Sequence, residues 1–159
     1  MTRVAQAFAE RVSRSELGPD LQVIYRVVGG MPSQRVDYEI KVDAVAGARV
    51  VVSDARASRT AQRASIEPGS LDVAGLFKEI SAGVHSLVPS SRASSTPDDY
   101  IGSMTIRVGS DEETFYFAPE AEKRRTPEKG VAPAMDRALQ KLWGIAKDAT
   151  RPREGAKSE

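Results

Sequence analysis

The chain has 159 residues, 40% of them hydrophobic and 28% charged, with a net charge of +1. That is the composition of one globular domain with a real core, and it excludes a disordered polyampholyte or a strongly polycationic nucleic-acid binder. Cysteine is absent and His85 is the one histidine, which removes thiol nucleophiles and histidine-built zinc sites and most histidine-based acid–base chemistry.

No run approaches the ~20 apolar residues that span a bilayer. The first sixteen residues mix apolar and charged side chains, unlike the apolar core of a signal peptide. The missing cysteines fit a reducing compartment. Asparagine is also absent, so the chain offers no N-glycosylation acceptor. The expectation is a cytoplasmic protein with no membrane contact, and the arginine- and alanine-rich usage suggests a bacterial, GC-rich source.

Residues 2–16 read as a short helix. Val4, Phe8 and Val12 recur at i, i+4 and i+8, with Ala7 beside them. Thr2 is the expected cap and Gly18-Pro19 the expected stop. Residues 21–28 are rich in strand formers. Val36, Tyr38, Ile40 and Val42 alternate with Asp37, Glu39, Lys41 and Asp43, the period of a strand with one buried face. The two segments make a hairpin. Residues 49–53 form a third strand, while the arginine-dotted stretch 55–66 has no clear period and reads as a ragged strand or a loop.

Residues 70–88 carry the clearest helical stripe: Val73, Leu76, Phe77, Ile80, Val84, Leu87 and Val88. Ser70 is the expected N-cap, with Asp72 at the positive end of the dipole. Gly75 and Gly83 suggest close packing on a sheet. Residues 89–99 are a polar loop. From Tyr100 to Val108 a strand pattern resumes, with 109–112 as the turn and 114–118 as the return. A last helix runs over 128–147, with Thr126 as cap, Pro127 at its first position and Val131, Met135, Ala138, Leu139, Leu142, Trp143 and Ala146 as its stripe.

The order α-β-β-β-α-β-β-α predicts an α+β domain. It has an antiparallel sheet of four to six strands, two main helices on one face and an extra N-terminal helix. The boundaries are 1–18 for that helix, 19–149 for the domain and 150–159 for a polar tail.

Motifs for chemistry are sparse. No phosphate-binding glycine loop, nucleophile elbow or zinc-binding HExxH stands in the sequence. His85 flanks the apolar stripe and reads as a boundary residue. Asp98-Asp99 and Asp111-Glu112-Glu113 read as solvated turns. Arg49, Arg56, Arg59, Arg63, Lys123, Arg124 and Arg125 are interleaved with acids and lack stacking aromatics, which weighs against a nucleic-acid partner. No catalytic residue, cofactor or metal ligand is assigned, and the chain is read as a non-enzyme.

Two loops stand out as contact points. One is Gly29-Gly30-Met31-Pro32-Ser33-Gln34, a tight tip bearing an apolar side chain and a proline; such preorganised loops lose little entropy on binding. The other is 90–99, leading to Tyr100.

The run Val23-Ile24-Tyr25-Arg26-Val27-Val28-Gly29-Gly30, the alternating strand from Val36 to Val42, the helix from Leu71 to Val88, and Pro97-Asp98-Asp99-Tyr100 leading into Met104-Thr105-Ile106-Arg107-Val108 together resemble the emfourin-like proteins. The resemblance spans about residues 21–147. Those are small bacterial proteins that include inhibitors of protealysin- and thermolysin-type metalloproteases. It implies a protein-binding module, with inhibition of a metalloprotease as a candidate role; the loops read above as contact points, Gly29–Gln34 and Asp98, Asp99 and Tyr100, would then act by occlusion. The other reading from the residues is a small-molecule or peptide sensor. Its pocket would lie between sheet and helices, lined by Tyr25, Tyr38, Phe77 and Trp143. An enzyme built on Asp or Glu with Arg or Tyr is a third.

Overall fold

The computed structural model describes residues 2–29, 36–54, 62–86, 101–117 and 132–150. Among them six strands make one antiparallel sheet: β1 (Leu21–Gly29), β2 (Val36–Asp43), β3 (Gly47–Asp54), β4 (Gln62–Ile66), β5 (Ile101–Val108) and β6 (Asp111–Phe117), in the order β4-β3-β2-β1-β5-β6. Three helices accompany them: α1 (Arg3–Ser13), α2 (Val73–Gly83) and α3 (Pro133–Thr150). The chain is α+β, as its alternating and helical periods predict. No helix among the described residues is long and apolar enough to cross a membrane.

Every second residue of the sheet points to one side, because side chains alternate along a strand. Val23 sits between Val42 and Ile106, and Tyr25 between Ile40 and Met104. Val50 continues the Tyr25 row through Ile40, and Phe115 extends it through Met104. All of these are buried. The helices cover this face. α1 packs over β5 and β6, α3 over β2 and β3, and α2 lies against both helices. Phe8 of α1 meets Phe77 of α2 with ring centroids 5.4 Å apart. Ala5, Phe8 and Val12 thus join the same core as the strands; Ala5, rather than Ala7, completes the α1 stripe.

The stretch expected to be ragged at 55–66 contains β4, whose Val50↔Ala64 and Ala48↔Ile66 pairs extend the sheet. The β2–β3 turn is held by Asp43, whose Oδ1 accepts from the Val45 and Ala46 amides at 2.9 and 2.6 Å, an Asx turn. Gly47 closes it at φ +80°, where a Cβ would strike the Ile66 carbonyl. The β5–β6 turn is shorter than the sequence suggests. Gly109, at φ +63°, and Ser110 suffice, because glycine supplies the positive φ that a two-residue hairpin needs. Asp111, Glu112 and Glu113 therefore belong to β6, not to a solvated turn.

Helix ends also differ from expectation. α1 stops at Ser13, and Ser15 at φ +57° turns the chain, ahead of Gly18-Pro19. α2 starts at Val73 with Asp72 as its cap, the carboxylate accepting from the Gly75 amide at 2.9 Å. Ser70 is used instead by a 3-10 turn over Pro68–Ser70. The helix ends at Gly83, followed by a 3-10 turn over Val84–Ser86. α3 begins at Pro133; Thr126, Pro127 and Val131 lie outside the described residues. Neither α2 glycine faces the sheet. A Cβ on Gly75 would collide with the Asp72 cap, and one on Gly83 would come within 2.5 Å of the Met135 Cβ in α3.

Candidate functional site

The two ends of the sheet are unlike. At one end the strands are joined by short turns: Asp43 to Gly47, and Gly109-Ser110. At the other end Gly29 pairs with Val36, Val28 with Ile101, Val36 with Asp54, Val52 with Gln62, and Gly102 with Phe117. Segments 30–35, 55–61, 87–100 and 118–131 are therefore all attached at this second end.

Of the residues singled out as contacts, Gly29 is the last residue of β1. Gly30, Met31, Pro32, Ser33 and Gln34 lie outside the described residues, as do Asp98, Asp99 and Tyr100. Their attachment points are nonetheless fixed. The 30–35 tip springs from the Gly29↔Val36 pair, and Tyr100 precedes Ile101, which pairs with Val28, the neighbour of Gly29. Residues from opposite halves of the sequence, Gly29 and Ile101, are thus anchored on neighbouring strands at the same end of the sheet. The β1–β5 pairing is a long-range contact that hydrophobic periodicity does not encode, so this proximity was not readable from the sequence.

A second link joins the residues after α2 to those before α3. The Ser86 hydroxyl donates to the Gly83 carbonyl at 2.6 Å and accepts the Ala132 amide at 2.9 Å. It ends α2 and satisfies a free amide at the start of α3. Segment 87–100 therefore departs where segment 118–131 arrives.

The chemistry-bearing side chains are dispersed. Glu79 of α2 pairs with Arg137 at 2.8 Å and with Lys141, both on α3. The Lys141 ammonium, then the Arg137 guanidinium, holds the Glu79 carboxyl below its ordinary value. Arg11 grips Asp20 through two bonds of 2.9 and 3.1 Å and the Glu16 carbonyl at 2.9 Å. The Asp20 carboxyl is lowered and the Arg11 guanidinium raised by that hydrogen-bonded pair. Arg107 reaches Glu112 at 2.9 Å across β5 and β6, and Arg3 lies 3.6 Å from Asp111. These are structural pairs that tie neighbouring elements. His85 is exposed after α2. Among the described residues no group of three His, Asp or Glu is placed to hold a metal ion.

Tyr25 and Phe77 are fully buried, and Tyr38 meets Trp143 edge-on at 5.5 Å. The four aromatics considered as pocket lining are packed in or against the core. On the opposite face, which no described helix covers, Arg49 lies across from Lys41 and Ser65, and Arg63 across from Val51. Arg56 and Arg59 lie outside the described residues. No family model matches the chain, and no curated protein matches it in sequence.

Proposed function

We propose that this chain is a non-enzymatic protein-binding module whose contact surface is the end of the sheet bearing segments 30–35 and 87–100. Following its resemblance to the emfourin-like proteins, the partner is a thermolysin-type metalloprotease and the mode is occlusion. The observation that supports this reading is that the two segments leave the sheet on neighbouring strands, one from Gly29 of β1 and the other into Ile101 of β5, which pairs with Val28. A six-stranded sheet with one covered face is a stiff platform, and contact segments carried on rigid scaffolds are a common way to build a binding surface. The apolar Met31 and the conformationally restricted Pro32 supply anchor chemistry; a few such residues usually dominate an interface.

The direct test is inhibition of a thermolysin-type metalloprotease by the full chain, titrated with a small chromogenic peptide substrate. The expected result is loss of activity that saturates at one chain per protease. Undiminished hydrolysis with the chain in hundredfold excess would contradict the proposal.

A further inference from the structure

The edge strand β4 reads as its own complement. Over 63–67 the chain runs Arg63, Ala64, Ser65, Ile66, Glu67. Arg63, Ser65 and Glu67 are exposed, whereas Ala64 and Ile66 are half-buried against the core. β4 pairs with β3 on one side and ends the sheet among the described residues. The Ile66 carbonyl lies against Gly47 at the start of β3. Backbone groups alternate along a paired strand, so those of Ile66 and Ala64 face β3 and those of Arg63 and Ser65 face outward. Glu67 continues the extended backbone at φ −66°, ψ 149°.

We propose that this edge pairs antiparallel with the same edge of a second copy of the chain, about a two-fold axis at Ser65. In that register Ser65 faces Ser65 of the second copy through its outward amide and carbonyl. Arg63 faces Glu67 on the open side of the sheet, twice by symmetry, and Ala64 faces Ile66 on the core side. Opposite charges across a strand pair are favourable, and like charges are not. An axis at Arg63 would set two guanidiniums face to face, and one at Ala64 would leave Arg63 opposite Ser65. Only the Ser65 axis satisfies charge and apolar pairing together. The far edge is different: β6 opens with three successive carboxylates, Asp111, Glu112 and Glu113, and lies under α1. An edge that pairs with no described strand on its outer side and is uncharged in sum, such as 63–67, is a template for β-sheet extension. Antiparallel pairing sends the two loop-bearing ends in opposite directions, so the inference does not rest on the proposed function.

Sedimentation equilibrium of the full chain tests it, with Arg63→Glu, Glu67→Arg and the double exchange. The wild-type mass is expected to rise with concentration toward twice the 17.2 kDa of one chain. Each single exchange places like charges opposite and should weaken the dimer about tenfold; the double exchange should restore it. A wild type that stays monomeric at all concentrations overturns the proposal, as does a dimer indifferent to the exchanges. Hydrogen exchange at the Ser65 amide of the wild type gives a second reading that needs no variant. Protection that grows with concentration supports the pairing, and a rate independent of concentration refutes it.

Discussion

Glu79 is where a single side chain joins two helices. Its carboxylate takes Arg137 and Lys141 from α3 while its side chain is only 17% exposed. Partial burial makes such a contact worth more than a freely solvated surface pair, which contributes about 0–1 kcal/mol. The folded carboxyl titrates below its unfolded value, because the Lys141 and Arg137 charges favour the ionised form. Its contribution is therefore complete above the unfolded value, about pH 4.3, and is lost as the pH falls through the lower folded value. Glu79→Gln should cost about 1 kcal/mol at pH 7. It should cost progressively less as the pH falls below the unfolded value, about 4.3, and through the lower folded one, where the wild-type carboxyl becomes protonated. Urea unfolding across that range checks this; a gap between wild type and variant that is constant with pH would contradict it. The sequence signals nothing of this triad, since Glu79 and Arg137 are brought together only by the packing of α2 on α3. The Asp43 turn is also hidden in the sequence, because an acid at the end of a regular alternation resembles any outward strand residue.

Elements were legible where one face alone is buried. The alternation from Val36 to Asp43 and the α2 stripe each follow from periodicity, and β2 and α2 form on those residues. Boundaries were less legible, because several residues compete for one role. Ser70 and Asp72 are both good caps, and the 3-10 turn over Pro68–Ser70 decides for Asp72. β4 has no visible period because its outward positions Arg63 and Ser65 and its small inward Ala64 give little contrast in hydropathy. The α2 and α3 glycines show why composition alone misleads. Alanine is the better helix former by up to about 1 kcal/mol, yet at Gly83 its Cβ would press on the Met135 backbone nitrogen at 2.6 Å. Gly83→Ala should therefore destabilise the fold by about 1–3 kcal/mol through overpacking. Gly144, inside α3, has nothing within 4 Å of a Cβ, and Gly144→Ala should stabilise by up to about 1 kcal/mol. Thermal unfolding of the two variants decides. A Gly83→Ala variant as stable as the wild type or more so would contradict the close α2–α3 approach, and a destabilised Gly144→Ala would contradict the open space at that position.

At the scale of the molecule, the described helices cover one face of the sheet, and the two sheet ends differ in character. One end is closed by compact turns, with Val45 exposed at its tip; the other gathers the segments attached at Gly29, Val36, Asp54, Gln62, Ile101 and Phe117. The sequence pointed to two of those segments by their composition. Their departure from neighbouring strands depends on β1 lying between β2 and β5, a choice made by the core and not by local propensity. Binding is proposed to belong to this end. The most direct measurement is calorimetric titration of a thermolysin-type metalloprotease with the wild type, a Met31→Ala, Pro32→Ala double variant and Val45→Asp. The double variant is expected to bind at least tenfold more weakly, a loss of about 1.4 kcal/mol or more, while Val45→Asp binds as the wild type does. Full affinity in the double variant, or a loss confined to Val45→Asp, would contradict it.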